Sequence, residues 1–326
     1  MKQNERTKGE QPPRIYSVLD CICHIAQEKI PTAGEDSYCY SISEDSVLVG
    51  VFAGCGGSGA KKYPVYQEKT GAYMGARAVA GAVLHWFEDE PHFLEHGRNN
   101  EAMKAAIGRS LTVCKENAGS QGSKIRGSIS KEFPTTAAIA RCVVGAESVF
   151  AECYWAGDSR VYLLDEDGLA QLTSDDLDDL DAFENLSGDG VMTNVISASK
   201  VFTLHSRSVE IRKPCILFAA TDGCFGYIPS PMEFESLLLE QLENARSLEE
   251  FEEKVRQELT KVAGDDFTLV GAVLGFGTFS NLKRSLGERC QKLKGHYLSG
   301  IDPENPESRR RIWNRYSRDY YRYYEK

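Results

Sequence analysis

Short apolar runs, bounded by turns rich in Gly, Asp and Ser, alternate along this chain with two blocks of helical period. The runs at 15–24, 38–42, 46–52, 136–144, 148–156, 160–164, 200–204, 215–220 and 267–274 read as strands. Several are joined by short turns such as Asp165-Glu166-Asp167-Gly168, which favours antiparallel hairpins. In the first helical block, 65–88, Ala72, Ala76, Val79, Ala80, Val83 and Phe87 form one apolar face, and a second helix spans 100–117. The second block holds 231–243 and 247–262, the latter opening Ser247-x-x-Glu250 like a capping box. Strands in groups with helices in pairs predict an α+β fold, an antiparallel sandwich covered by helices.

That pattern predicts one domain over 15–276. Residues 1–14 form a polar lead, expected to be disordered and lacking the apolar core of a signal peptide. Residues 277–326 change character: basic side chains outnumber acidic ones, and Trp313, Tyr316, Tyr320, Tyr321, Tyr323 and Tyr324 follow closely on one another. Two readings stand for this extension, a helix packing on the domain through its aromatics and a docking segment for a partner. The Gly/Ser/Lys-rich stretch 118–131 reads as a mobile loop, and the acidic stretch 174–189 as a solvated flap with a recognition role for basic substrates in second place.

A chain of 326 residues with 41% hydrophobic residues can bury a sizeable core. Its net charge of −10 argues against bulk attraction to nucleic acid or an anionic membrane. No apolar stretch approaches the roughly 20 residues needed to span a bilayer. The ten cysteines include no Cys-x-x-Cys pair, and several lie inside apolar runs, so buried thiols of a reduced, cytoplasmic protein are expected.

The chemistry sits in the turns. Acidic residues flank β-like runs in Glu35-Asp36-Ser37, Gly157-Asp158-Ser159-Arg160, Asp222-Gly223 and Asp265-Asp266-Phe267-Thr268. Carboxylates at strand ends can converge on hard divalent cations, which prefer oxygen ligands. With Gly54-Cys55-Gly56-Gly57, Thr135-Thr136-Ala137 and Leu172-Thr173, these segments occur in the order found in metal-dependent protein phosphatases of the 2C type, and the chain resembles that PPM family over roughly residues 15–274. The resemblance implies an αββα sandwich and a site for two Mg²⁺ or Mn²⁺ ions, with a third in some members. Two cations lower the pKa of a water that attacks phosphorus and neutralise charge on the transferring group. Carried over by position, Asp222 and Asp265 would hold the first metal. Glu35, Asp36 and the Gly54 carbonyl would serve the second, Asp158 with Asp222 the third, and Asp266 would support the ligands from behind. The implied partners are a phosphorylated protein and a cognate Ser/Thr kinase.

Three positions depart from that pattern. Ala53 stands where the family has the Asp that bridges both ions, which predicts a rate loss on the order of 10³, about 4 kcal/mol of barrier. Cys55 stands where the family has a His proposed to protonate the leaving group, and Pro31 where it has a phosphate-binding Arg, leaving Lys29 as the nearby candidate. The other acids are retained, which favours an engineered or very recent Asp→Ala replacement over a natural pseudophosphatase acting as a phosphoprotein- or kinase-binding module. Three other signals carry less. The glycines from Gly54 to Gly59 miss the phosphate-loop spacing, the six histidines form no zinc pattern, and the acids from Asp175 to Asp181 lack the glycine and glutamate of a calcium loop. Arg160 reads as an ion-pair partner rather than a catalytic group.

Overall fold

The computed structural model describes residues 14–324 except 90–95, 120–130, 146–147, 179–180, 185–190 and 303. The polar lead before Arg14, most of the 118–131 loop, the end of the acidic stretch and His92 thus lie outside the described residues. In chain order the strands are β1 (Leu19–Gln27), β2 (Ser37–Ile42), β3 (Ser46–Phe52), β4 (Lys62–Tyr63), β5 (Lys69–Thr70), β6 (Ala137–Val144), β7 (Val149–Ala156), β8 (Arg160–Asp165), β9 (Gly168–Gln171), β10 (His205–Ile211), β11 (Cys215–Ala220) and β12 (Phe267–Leu274). The helices are α1 (Gly56–Gly59), α2 (Gly71–Asp89), α3 (His96–Asn117), α4 (Pro231–Asn244), α5 (Leu248–Val262), α6 (Phe279–His296) and α7 (Pro306–Tyr320).

Two five-stranded sheets, ordered β1-β12-β11-β8-β9 and β10-β7-β6-β3-β2, stack face to face, and every pairing within them is antiparallel. Side-chain alternation explains the layers. All of β3 and β12 is buried. Val47, Val49 and Val51 share the layer between the sheets with Val270, Ala272 and Leu274, whereas Leu48 and Phe52 face α2 and α3, and Phe267, Leu269 and Val273 face α4 to α7. Strands covered on both sides read as continuous apolar runs, which is why the sequence marks them so clearly. The result is the expected αββα sandwich.

Where the elements shift, the cause is visible. The expected strand at 200–204 is an irregular segment, and the edge strand begins at His205. Phe202 and Leu204 bury themselves against the α2–α3 layer without a ladder, while Val209 and Ile211 reach the intersheet layer. The first strand starts at Leu19 after a 3₁₀ turn at Ile15–Ser17, and the first long helix starts at Gly71 after a turn at Pro64–Tyr66. Ser247 caps α5 by accepting from Glu250 N (3.2 Å), but the Glu250 carboxylate accepts from Arg246 N (2.9 Å) rather than closing the box on Ser247.

The C-terminal extension packs as two helices in the same core as α4, α5 and the outer face of the β12 sheet. Leu282, Leu286, Leu293, Trp313, Tyr316 and Tyr320 are buried there. A buried pair ties the layers together: Arg289 donates twice to Glu235 of α4 (2.6 and 3.1 Å), and Tyr316 donates its hydroxyl to the same carboxylate. A Trp313→Ala substitution is therefore expected to destabilise the whole protein by about 3–5 kcal/mol in urea unfolding. A change below about 1 kcal/mol would show that the extension only lies on the surface.

Candidate metal centre

In an antiparallel sheet the end of one strand and the start of its neighbour share an edge, so residues far apart in sequence gather there. Glu35 and Asp36 precede β2, Ala53 to Gly57 follow β3, Thr136 precedes β6, and Asp158 lies in the turn from β7 to β8. Asp222 follows β11 from the other sheet, and Asp265 and Asp266 precede β12. All of them line one cleft of about 510 Å³.

Local contacts fix each loop. Ala53 continues the β3 direction with its backbone fully engaged: its carbonyl accepts from Thr136 N (2.9 Å) and Thr135 Oγ1 (2.9 Å), and its N–H donates to Thr136 Oγ1 (3.3 Å). Gly54 must be glycine, because a Cβ would sit 2.8 Å from the Ala72 carbonyl oxygen and 2.9 Å from Glu35 Cβ. The Gly54 carbonyl accepts from Gly56 N (2.9 Å). At Gly223 a Cβ would fall 1.9 Å from the Asp266 carbonyl, so glycine alone lets the Asp222 turn approach the 265–266 loop. Asp266 accepts from Lys29 N (2.8 Å) and Glu35 N (2.7 Å), and so braces the loop that carries Glu35 and Asp36. Thr221 Oγ1 donates to Asp36 (2.9 Å), and Thr70 Oγ1 donates to Glu35.

The carboxylates repel one another. Burial first, and then the charge of Asp222, push Asp36 up to about 8, against the Thr221 hydrogen bond. Burial and Asp222 likewise raise Asp158 well above the ordinary range, and burial and Asp265 raise Asp222. Burial raises Glu35 too. Asp222 is the electrostatic centre of this group, acting on both Asp36 and Asp158. Such a donor set, five carboxylates lining one cleft with Asp266 behind them, fits hard divalent cations. The side chains are not drawn onto a single point, however: among the described residues no three His, Cys, Asp or Glu groups already converge to hold one ion. Ala53 contributes only a methyl group to this cleft.

Two candidates from sequence stand differently in the structure. Lys29 does not line the cleft; its ammonium donates to the Gly264 carbonyl. Lys131 lines it instead, with its backbone N–H bonded to the Ser58 carbonyl (2.9 Å). Nothing in the sequence singles out Lys131, which closes the Gly/Ser/Lys-rich stretch 118–131. Burial and Asp158 push the Cys55 thiol up to about 12, so it stays protonated near neutrality and offers no thiolate nucleophile. Arg160 makes a buried bidentate ion pair with Asp175 (2.9 and 2.6 Å) and stacks on Phe225. Within the acidic stretch Asp175 and Asp176 turn inward, whereas Asp178 is exposed. Asp176 accepts from Gly157 N (2.9 Å), Asn194 Nδ2 (2.7 Å) and His205 Nε2 (2.9 Å).

No family model matches the chain, and no curated protein matches it by sequence. Solved structures do match in fold. Staphylococcus aureus Ser/Thr phosphatase Stp1 is 15% identical with a TM-score of 0.58, over 84% of this chain and 99% of that chain. The catalytic domain of the Ser/Thr protein phosphatase PstP, solved with two manganese ions, is 16% identical with a TM-score of 0.54, over 79% and 99%. The Mycobacterium smegmatis PPM Ser-Thr phosphatase MsPP, solved with cacodylate, is 11% identical with a TM-score of 0.54, over 79% and 99%. The chain has the fold of the PPM Ser/Thr phosphatases.

The raised carboxylates set the sign of a pH effect. A carboxyl raised in the folded state contributes stability below its unfolded value of about 4 and loses that contribution as pH rises through its folded value. For Asp36 that loss is complete above about 8. In the presence of a chelator the protein is expected to melt at a lower temperature at pH 8.5 than at pH 5.5. An equal or higher melting temperature at pH 8.5 would contradict the crowding of these acids.

Proposed function

We propose that this fold serves the hydrolysis of phosphoserine or phosphothreonine in proteins, and that the chain as written is impaired because Ala53 supplies no carboxylate. The observation that carries this reading is the single cleft lined by Glu35, Asp36, Asp158, Asp222 and Asp265, brought from both sheets. Asp222 and Asp265 would hold one Mg²⁺ or Mn²⁺ ion, Glu35, Asp36 and the Gly54 carbonyl a second, and Asp158 with Asp222 a third. When bound, the cations supply an acidified water and neutralise phosphoryl charge. The two manganese ions of the PstP structure support a site for paired divalent cations.

The chain's own groups do the rest. Thr221 orients Asp36, Asp266 fixes the loop bearing Glu35, and Lys131, which lines the cleft, would hold a phosphoryl oxygen as a point charge. Burial and Asp158 make Cys55 a weaker acid than the histidine whose place it takes, so its service as acid for the leaving group is not part of this reading. Ala53 lies outside the left-handed backbone region and lines the cleft, which supports loss of an Asp on an otherwise retained site. Ala53 also favours a second reading, a non-catalytic module that holds a phosphoprotein or a partner kinase.

Restoring Ala53→Asp is expected to raise Mn²⁺-dependent turnover of para-nitrophenyl phosphate by about 10³. No turnover from the restored protein, together with phosphopeptide binding indifferent to chelator, would establish the module instead. In the restored protein Lys131→Met should raise KM for a phosphopeptide roughly tenfold, the scale of one charge-assisted hydrogen bond. Unchanged KM would remove Lys131 from phosphate recognition, and Lys131→Arg should preserve most of the affinity.

A further inference from the structure

The C-terminal extension reaches the metal cleft through a relay of hydrogen bonds. Its last residues grip the segment that follows β9. Tyr320 donates to Gln171 Oε1 (2.9 Å), and Gln171 Nε2 donates to Asp175 Oδ1 (3.0 Å). Tyr324 donates to the Thr173 carbonyl and accepts from Ser174 Oγ (3.2 Å). Further along, Tyr321 accepts from Ala182 N (2.9 Å), and Trp313 Nε1 donates to Asp181 (3.0 Å).

The gripped segment in turn holds the Gly157-Asp158-Ser159-Arg160 turn at three points. Val161 N donates to Thr173 Oγ1 (3.1 Å). Arg160 is locked to Asp175, each side chain nearly inaccessible at 2% and 3%. Asp176 and Gly157 exchange two bonds, Gly157 N to Asp176 Oδ2 (2.9 Å) and Asp176 N to the Gly157 carbonyl (2.9 Å). The turn is tight in itself: Gly157 adopts φ +97°, a Cβ there would fall 2.6 Å from Thr136 Cγ2, and Asp158, the next residue, lines the cleft.

We propose that the end of the extension, Tyr320 and Tyr324 above all, positions Asp158 for cation binding by clamping residues 171–176 onto the 157–161 turn. Neither tyrosine touches the cleft; both act through other residues. The bonds themselves carry the inference: three of them join the Tyr320 and Tyr324 hydroxyls to residues 171, 173 and 174, and the same segment holds the turn at Gly157, Arg160 and Val161. They use the tyrosine hydroxyls rather than the apolar ring faces that already fill the core. The tail thereby becomes part of the site without contributing a ligand.

The proposal rests on the reading that the cleft binds divalent cations, and the test separates the two. The full chain and its Tyr320→Phe/Tyr324→Phe double variant are compared by hydrogen exchange and by Mn²⁺ titration calorimetry. The substitutions keep the rings in the core and delete only the hydroxyls. The amides of Gly157 and Val161, which donate to the clamped segment, are expected to exchange roughly tenfold faster in the variant. Mn²⁺ affinity should fall roughly tenfold, as for loss of an outer support of a metal ligand. Tyr297→Phe, which deletes a comparable bond to Asp319 (3.0 Å) elsewhere in the same helical layer, should leave both readings unchanged. Unaltered exchange at Gly157 and Val161, or faster exchange with unaltered affinity, overturns the positioning role. If the double variant does not fold, Tyr324→Phe alone is read at Val161, through the Thr173 branch, by the same criteria. Absence of Mn²⁺ binding to the parent chain sinks the cation reading, and the exchange data then decide the clamp by themselves.

Discussion

Like charges held together against their repulsion are the constraint on which this structure turns. Asp36, Asp158 and Asp222 are half-buried in one cleft, and their carboxyls are pushed upward by desolvation and by neighbouring acids. A chain free to relax would move them apart. The sandwich prevents this, because each acid sits in a turn within two residues of a strand of the two sheets. The strain is concentrated at one end of the sheets, and a cation is the simplest agent that relieves it.

Much of the scaffold around the cleft makes sense as resistance to that repulsion. Asp266 ties two loops by their backbones, Thr221 bonds Asp36, and glycine at 54 and 223 lets neighbouring loops approach more closely than any side chain permits. Arg160 places a guanidinium behind Asp158 without entering the cleft, its charge matched by Asp175. The C-terminal helices extend the same principle outward. They complete the core on one side and brace the Asp158 turn on the other, which gives a physical reason for the dense aromatic run at the end of the chain.

The strands were legible because both faces of most are covered, so their apolar runs are continuous. The acids were legible because each sits in a short turn motif beside such a run, and strand order then brings them together. Side-chain direction was not legible. Lys29 and Lys131 look equivalent as loop lysines, but the first bonds the Gly264 carbonyl and the second lines the cleft, a difference set by tertiary contacts of the loops. The acids at Asp175 and Asp176 resemble a solvated run in sequence, yet their partners, Arg160, Gly157, Asn194 and His205, come from other segments. The displaced edge strand has a similar cause: Phe202 and Leu204 satisfy their burial against a helical layer, so an apolar pattern marks the segment before the ladder rather than the ladder itself.

The central claim is that the crowded acids form a cradle for divalent cations. The most direct measurement is anomalous diffraction from crystals of the protein soaked in Mn²⁺. A peak between Asp222 and Asp265, within coordinating distance of both carboxylates, is the predicted result. A map with no peak in the cleft, from crystals whose acids are ionised at the pH of the soak, would contradict it.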